Sequence, residues 1–417
     1  MYAIMLSWYS LLLCLSVLSQ DVTAAWLRAA NNEDKLNVIH EWKYIDYLFE
    51  NDQQRAAAIK SGDYVPASNA PIDVDRWNKE TFVTVIRSKG VPSSLNTISD
   101  QTGNGGPLLK PYPDWSWTNT SNCDGITSVY RVAIDRCDRL WVVDNGVIDD
   151  THTCPAQILT FDLNTSKLLK RVKIPDSVAL NSTSGKGLLI TPVVQTFGPY
   201  CRRTNVFIAD PDGYALIVYD GRSLRRVTSS SLVYDPKATT YTIEGQSFQL
   251  QDGPVGMALS ELTGNLYYSP MSSYNLASVR SQALTLLGNG IAQFRSYNDV
   301  LTTQASAKAI SKTGALFFGL VNNTSIGCWN EFKTLNRNNI DIAAKNRTTL
   351  QFTSGLKIKN TEDGEVLLAF TNRYQKLATG TLNLTDVNFR ILEGSVRNLI
   401  QNTKCQPPNP FHPGPIL

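Results

Sequence analysis

The sequence has little histidine, no long apolar run after the N-terminus and no block of one charge. Three histidines occur in 417 residues, His40, His152 and His412, which disfavours histidine-based catalysis and a histidine-rich metal site. Basic residues number 39 against 36 acidic ones and are scattered along the chain, which argues against nucleic acid as a partner. No later segment approaches the roughly 18 apolar residues of a membrane-spanning helix. The sequence therefore predicts an ordinary globular protein with no membrane span and no cofactor or metal.

The N-terminus carries one apolar run, from Ile4 to Leu18. This run is too short to cross a bilayer, and its position is typical of a secretory signal peptide. Small residues predict cleavage after Ser19, which makes residues 1–19 the signal peptide, or alternatively after Ala24. A buried N-terminal helix is the other interpretation of the run. We expect the mature protein to be secreted and extracellular.

Cysteines and glycosylation motifs agree with secretion. Cys14 lies in the predicted signal peptide, and its removal leaves an even number of cysteines, as an oxidising compartment favours. The chain also contains seven Asn-X-Ser/Thr motifs, which predict a glycoprotein. These motifs begin at Asn119, Asn164, Asn181, Asn322, Asn323, Asn346 and Asn383.

A strand–turn–strand unit recurs along the chain, with small residues in its first strand and aromatic residues in its second. The copies lie about 50 to 65 residues apart, a spacing typical of propeller blades. They occupy residues 132–144, 188–210, 256–269, 308–318 and 355–370, and the strand 82–86 belongs to a first unit. These units predict an all-β fold, a six-bladed β-propeller in which each first strand lines a central channel.

A few short helices are predicted at the periphery of this propeller. They fall at residues 51–60, within part of 325–345, and at 395–402. We expect the propeller to span residues 20–404 and a proline-rich tail, anchored by Cys405, to span residues 405–417.

The strand topology constrains the disulfides. Cys137 and Cys201 both lie in turns between first and second strands, in neighbouring blades and on one face. Cys123 and Cys154 lie on the opposite face, before the first strand and after the second strand of one blade. A strand of about nine residues would hold Cys123 and Cys137 roughly 30 Å apart, too far to pair. The predicted disulfides are Cys123–Cys154, Cys137–Cys201 and Cys328–Cys405.

Several motifs resemble the yellow / major royal jelly protein family of insects. The most specific is 137–146 (CDRLWVVDNG), and further motifs are spread over the chain. These are 40–44 (HEWKY), 90–95 (GVPSSL), 111–117 (PYPDWSW) and 327–331 (GCWNE). Residues 93–96 and 316–321 look closer to the royal jelly branch than to the cuticular yellow proteins. The resemblance implies a secreted, glycosylated six-bladed propeller.

The resemblance also implies a ligand site in the channel. In salivary members of the family that bind amines, an aromatic residue, a threonine and an asparagine of the last blade hold the ligand. By resemblance the matching positions are Phe352, Thr353 or Ser354, Asn372 and Tyr374. None of these positions carries an acidic residue that would pair an ammonium group, so a sterol fits as well as a biogenic amine. Packing of the two aromatic residues into the core is the alternative interpretation.

Other candidate motifs favour structural roles. The segment 103–106 (GNGG) is followed by proline rather than a helix, which predicts a loop instead of a phosphate-binding site. The segment 210–213 (DPDG) is typical of a turn, with calcium binding as the alternative. The carboxylates of Asp144 and Asp210 end strands and are expected to cap turns. The pair His152 and Cys154 lacks further ligands at usable spacing for a metal.

The sequence leaves two functions open. The first is a non-enzymatic binder of a small hydrophobic or aromatic ligand with a nutritive, developmental or signalling role. The second is a dopachrome-converting isomerase or tautomerase of melanin pigmentation. The scarcity of histidine favours the first, although propellers host both kinds of function. A second copy of the chain or a small protein remains open as an additional partner.

Overall fold

A computed structural model describes residues 35–286 and 292–408. The predicted signal peptide and most of the predicted tail lie outside the described residues. Across this part of the chain the structure is dominated by short antiparallel strands, with a few short helices between them. None of its helices has both the length and the apolar character needed to cross a membrane.

The strands are numbered here in chain order. The first fifteen are β1 (Asn37–Trp42), β2 (Ala70–Trp77), β3 (Glu80–Ile86), β4 (Leu95–Gly103), β5 (Gly106–Pro111), β6 (Val129–Ile134), β7 (Arg139–Asp144), β8 (Val147–Ile148), β9 (Thr151–His152), β10 (Gln157–Asp162), β11 (Lys167–Lys173), β12 (Thr191–Phe197), β13 (Arg203–Asp210), β14 (Ala215–Tyr219) and β15 (Leu224–Thr228). The others are β16 (Thr240–Ile243), β17 (Gln246–Gln249), β18 (Pro254–Leu259), β19 (Asn265–Pro270), β20 (Leu276–Arg280), β21 (Arg295–Tyr297), β22 (Ala305–Ile310), β23 (Ala315–Leu320), β24 (Ser325–Asn330), β25 (Asp341–Lys345), β26 (Phe352–Thr361), β27 (Gly364–Asn372) and β28 (Phe389–Ser395).

Six four-stranded sheets form the blades, as predicted. From the channel outward, blades I to VI are β2-β3-β4-β5, β6-β7-β10-β11, β12-β13-β14-β15, β18-β19-β20-β21, β22-β23-β24-β25 and β26-β27-β28-β1. Two small hairpins, β8-β9 and β16-β17, stand outside the blades. The hydrophobic core lies between adjacent blades, because each sheet buries both faces against its neighbours.

The first strands of the six blades converge on the axis, which leaves little room for side chains where neighbouring first strands touch. Gly256 in β18 shows the constraint, since a Cβ atom there would lie 2.1 Å from the carbonyl oxygen of Ser306 in the next blade. The second strands lie farther from the axis and carry larger buried side chains. In β23, for example, Phe317 and Phe318 are both inaccessible to solvent. This agrees with the small-then-aromatic pattern of the sequence repeat.

The N-terminal strand closes the ring. Strand β1 pairs antiparallel with β28, with Trp42 opposite Phe389, so blade VI combines three strands from the C-terminal end with one from the N-terminal end. Full closure protects strand edges that would otherwise be exposed.

The helices follow the prediction in two places and depart from it in a third. Helix α1 (Asp52–Ser61) begins after the cap residue Asn51, whose side chain accepts a hydrogen bond from the backbone N–H of Gln54. The remaining helices are α2 (Asp176–Ala179), α3 (Ser281–Thr285), α4 (Tyr374–Ala378) and α5 (Val396–Ile400), and the last confirms the helix predicted at 395–402.

The helix predicted within residues 325–345 is wrong. This segment forms β24, β25 and a short 3₁₀ turn at Arg337–Asn339. Every residue of β24 is buried, because neighbouring blades cover both faces of the sheet. A strand buried on both faces lacks the alternating pattern that distinguishes a strand from a helix.

The structure contains the three predicted disulfides. Cys123–Cys154 joins two loops of blade II, with Cα atoms 5.5 Å apart. Cys137–Cys201 joins the turns of blades II and III, with Cα atoms 6.5 Å apart. Cys328–Cys405 ties the segment after α5 to the third strand of blade V, with Cα atoms 5.8 Å apart. Together they link parts of the ring that are distant in sequence.

Replacing Cys328 and Cys405 by alanine should lower the free energy of unfolding by about 2–5 kcal/mol. Both residues are inaccessible to solvent, and Asn330 donates a hydrogen bond to the Cys405 carbonyl oxygen, so the bridge holds the C-terminal segment against blade V. Denaturant unfolding of the double variant and the wild type measures the difference. An unchanged midpoint and slope would show that the bridge contributes nothing to the stability of the ring.

Candidate functional site at the upper mouth of the channel

The two faces of the propeller differ in their loops. The lower face carries the turns between first and second strands. The upper face carries the loops that precede first strands and follow second strands. We define the upper mouth of the channel by Tyr130, Asp212, Asp252 and Tyr374, each of which lies in or beside such a loop. In addition to burial, the hydroxyl of Tyr374 and the charges of Asp212 and Asp252 all raise the pKa of Tyr130, so the four side chains lie within electrostatic reach of one another.

A column of aromatic rings forms one side of the upper mouth. Phe352 stacks on Tyr374 with ring centroids 4.9 Å apart. Phe248 of β17 also packs against Tyr374, with ring centroids 5.3 Å apart, and Tyr241 of β16 stacks on Phe248 at 5.2 Å. The column joins blade VI to the β16-β17 hairpin.

The β16-β17 hairpin extends from the link between blades III and IV over two further blades. The backbone N–H of Thr242 donates to the Asn322 side chain of blade V at 3.1 Å. Gln246 donates to the Thr381 hydroxyl, in the loop after the second strand of blade VI, at 3.0 Å. The hairpin therefore covers part of the upper face and fixes the aromatic column beside the channel.

Asp252 is the most unusual group at the upper mouth. It lies two residues before the first strand of blade IV and is half-buried. Among the described residues, none donates a hydrogen bond to its carboxylate or forms an ion pair with it. Burial, with a smaller contribution from the charge of Asp212, raises the pKa of Asp252 to about 7.

The tyrosines around Asp252 remain neutral hydroxyl groups at physiological pH. Burial, together with the charge of Asp252, raises the pKa of Tyr374 to about 12. Burial also raises the pKa of Tyr130 far above its ordinary value. A carboxylate without a donor, within electrostatic reach of Tyr130 and Tyr374, suits an organic cation, because the carboxylate pairs with the charge and an aromatic ring accepts the apolar body.

A cavity of about 570 Å³ adjoins the upper mouth between blades I and III. Tyr130 and Asp212 border it, together with Arg87, Leu188 and the exposed His152 of β9. Its size lies within the roughly 300–1,000 Å³ range of small-molecule sites.

The residues that the family resemblance assigns to the ligand lie in two different environments. Tyr374 belongs to the upper mouth, and Phe352 packs directly behind it. Thr353 instead lies against Gly319 of blade V, and Asn372 donates to the Pro71 carbonyl oxygen of blade I at 3.2 Å and to the Ser354 hydroxyl at 3.3 Å. Oδ1 of Asn372 and Oγ1 of Thr353 are buried without a hydrogen-bond partner in the described residues. A ligand contact by these residues stays a prediction.

Replacing Asn372 by alanine should destabilise the ring by about 1–3 kcal/mol, because it leaves a buried carbonyl of blade I without its donor. Denaturant unfolding measures the loss, and Asn360→Ala, at the exposed end of β26, is the matched control that should change little. Equal stability of the two variants would contradict a bridging role for Asn372.

Other motifs from the sequence have structural roles. Asp144 accepts hydrogen bonds from the backbone N–H groups of Thr127, Ser128 and Gly146, as a turn cap does. Asp210 accepts from the N–H of Gly213 and pairs with Arg226, so the segment 210–213 is a turn. Segment 103–106 connects β4 to β5 as a hairpin turn. Within the described ranges no cluster of three or more His, Cys, Asp or Glu side chains is placed to hold a metal.

Sequence reasoning missed Tyr130 and Asp252. Both are adjacent to the upper ends of first strands, but nothing in their local sequence separates them from ordinary loop and strand residues. The signal that could have found them is topological: residues just before first strands and just after second strands share one face of a propeller. Among such residues, those with charged or aromatic side chains are candidates for a mouth site.

These features define a class of protein, a closed six-bladed β-propeller with a polar, aromatic-lined mouth on one face. Comparison with known proteins then identifies the family. The family model described as major royal jelly protein matches residues 127–405. The chain is 56% identical over 384 residues to major royal jelly protein 9 of Apis mellifera, covering 89% of this chain and 90% of that protein. It is 47% identical to major royal jelly protein 7 of the same organism, covering 96% and 94% of the two chains. The chain belongs to the major royal jelly protein family, as the motifs predict.

Proposed function

We propose that this protein is a secreted, non-enzymatic binding protein whose upper mouth takes a small aromatic amine. The single observation that carries the proposal is the carboxylate of Asp252, which is half-buried within electrostatic reach of Tyr130 and Tyr374 and has no donor among the described residues. Isolated carboxylates of this kind are unfavourable unless a cation or donor pairs with them. An ammonium group supplies both charge and hydrogen bonds.

An amine suits this site better than a sterol does. The ring of the ligand would pack against Tyr374, behind which Phe352 and Phe248 hold the column in place. A sterol offers one neutral hydroxyl and would bury the Asp252 carboxylate further without neutralising it. Of the two ligand classes that the sequence leaves open, Asp252 therefore favours the amine.

Three features support a secreted glycoprotein. The apolar run at residues 4–18 has the length and position of a signal peptide. The three disulfides are consistent with an extracellular protein. The asparagines of all seven glycosylation motifs are exposed or half-buried, so sugars can be attached without disturbing the core. A nutritive, developmental or signalling role would then depend on which amine is carried.

Calorimetric titration with serotonin, dopamine and a sterol tests the proposal. We expect both amines to bind with one site per chain and the sterol to give no heat. Asp252→Asn should weaken amine binding by about ten- to hundredfold, the effect of losing a charged hydrogen-bonding partner. Asp363→Asn, on an exposed turn of the lower face, is the matched control and should bind as the wild type does. Binding of the sterol alone, or no effect of Asp252→Asn, would contradict the proposal.

The alternative, dopachrome conversion, is favoured by one specific observation. A half-buried carboxyl group with a pKa of about 7 and no donor among the described residues is suited to accept and return a proton, as tautomerisation requires. A dopachrome decolorisation assay separates the two functions. Loss of the chromophore above the uncatalysed rate, abolished in Asp252→Asn, would establish an enzyme in place of a carrier.

A further inference from the structure

The side chain of Arg131 divides the channel into an upper and a lower part. Arg131 is buried on the first strand of blade II, and its Nε and Nη2 atoms donate to the Ser354 carbonyl oxygen of blade VI at 3.2 and 2.8 Å. Its Nη1 atom donates to the Thr191 hydroxyl of blade III at 3.3 Å. The guanidinium thus crosses the channel and is held in place from both sides.

Below Arg131 lies a second cavity, of about 230 Å³, which we call the lower chamber. First strands from all six blades line it. Half-buried residues, including Ile134, Leu259, Ile310 and Lys359, surround its outer end, so the chamber opens to the lower face.

Basic side chains outnumber acidic ones in the lower chamber. Two carboxylates on β2 are already paired, Asp73 with Lys357 at 2.9 Å and Asp75 with Lys359 at 2.7 Å. The lining residues of β12 and β18 carry no charge. The two remaining charged groups are Arg131 on β6 and Lys308 on β22, and neither forms an ion pair with any described residue. The chamber therefore has a positive charge without a counterion.

Lys308 is held by two neutral oxygen atoms. It is 4% exposed, and its Nζ atom donates to the Ser269 hydroxyl at 2.6 Å and to the Ser306 carbonyl oxygen at 3.2 Å. Burial, with a further contribution from the charge of Arg131, lowers the pKa of Lys308 to about 7. An anion beside Nζ would restore its proton and neutralise the charge.

The walls of the chamber are apolar beyond these charges. Val193, Met257, Leu259, Ile310 and Leu356 line it. Its volume is below the roughly 300–1,000 Å³ of sites for drug-sized ligands, which suits a ligand of a few carbon atoms. An ion such as phosphate would leave the apolar walls unused, and a sterol would not fit.

We propose that the lower chamber binds a small organic carboxylate, with its carboxylate group between Lys308 and Arg131 and its apolar body against the aliphatic walls. This site is separate from the upper mouth and opposite to it in charge preference. It gives the protein a second ligand class, reached from the other face of the ring.

Calorimetric titration with hexanoate tests the proposal, with hexan-1-ol as the uncharged probe of similar size. At pH 7 hexanoate should bind to the wild type and hexan-1-ol at least tenfold more weakly. Lys308→Met keeps the length of the side chain and removes the charge, so it should weaken hexanoate binding by about ten- to hundredfold. Lys237→Met, at an exposed position outside the chamber, is the matched control and should leave binding unchanged.

Measuring the proton uptake that accompanies hexanoate binding to the wild type makes the test independent of the variant. At pH 8, binding of hexanoate should take up protons as Lys308 becomes charged, which appears as a dependence of the binding heat on the ionisation enthalpy of the buffer. Lys308→Met should bind, if at all, without this dependence. Absence of hexanoate binding, equal binding of the alcohol, or the same proton uptake in Lys308→Met would each overturn the proposal.

Discussion

The affinity for serotonin should fall by about 7- to 25-fold between pH 8 and pH 5.5. The ammonium group of serotonin stays charged over this range, whereas Asp252, with a pKa of about 7, becomes protonated as the pH falls. At pH 5.5 only about 3% of the protein would carry the carboxylate, and the protonated remainder would bind about ten- to hundredfold more weakly, as is expected of Asp252→Asn. The direction is set by the raised pKa, since a carboxyl group with an ordinary pKa would remain ionised at pH 5.5.

Calorimetric titration at several pH values measures this dependence. Asp252→Asn should bind weakly and show a nearly flat profile, because its side chain does not titrate. A wild-type affinity that is independent of pH would mean that Asp252 does not contact the amine. A pH dependence that persists in Asp252→Asn would assign the titration to another group.

Replacing Trp42 by alanine should lower the free energy of unfolding by about 3–5 kcal/mol, the usual cost of truncating a large buried aromatic residue. Trp42 lies on the strand that closes the ring and is inaccessible to solvent. Its indole N–H donates to the Pro107 carbonyl oxygen of blade I at 2.7 Å, and its ring stacks on Phe370 of blade VI with centroids 6.5 Å apart. The truncation therefore removes contacts with two blades at the point where the ring closes.

Denaturant unfolding of Trp42→Ala measures this loss. Val38→Ala changes a residue of the same strand that is 41% exposed, and it should alter stability by less than about 0.5 kcal/mol. Similar losses in the two variants would show that closure depends on the pairing of β1 rather than on the packing of its tryptophan.

The number of blades and most of their second strands are predictable from the sequence, because a tight turn between a small-residue strand and an aromatic strand is a local pattern. The closing pair β1 and β28 is different, since its residues are far apart in the chain and neither strand has a distinctive composition. The error at residues 325–345 has a related cause, because a strand buried on both faces gives a continuous apolar pattern that does not determine its period.

The candidate site is predictable only in part. The family motifs point to Tyr374 and Phe352. Tyr374 lies at the upper mouth, and Phe352 stacks on it. Asp252 was not found, because its role depends on the positions of Tyr130 and Tyr374 in other blades. The motif positions of blade VI include no acidic residue that could pair an ammonium group, whereas Asp252 lies on the loop before the first strand of blade IV.

A crystal structure of the protein with serotonin at pH 8 tests the central claim most directly. The account predicts that the amine nitrogen lies within about 3.2 Å of an Asp252 carboxylate oxygen and that the indole ring packs against Tyr374 or Tyr130. Serotonin bound in the lower chamber, or at the upper mouth with its nitrogen away from Asp252, would contradict it.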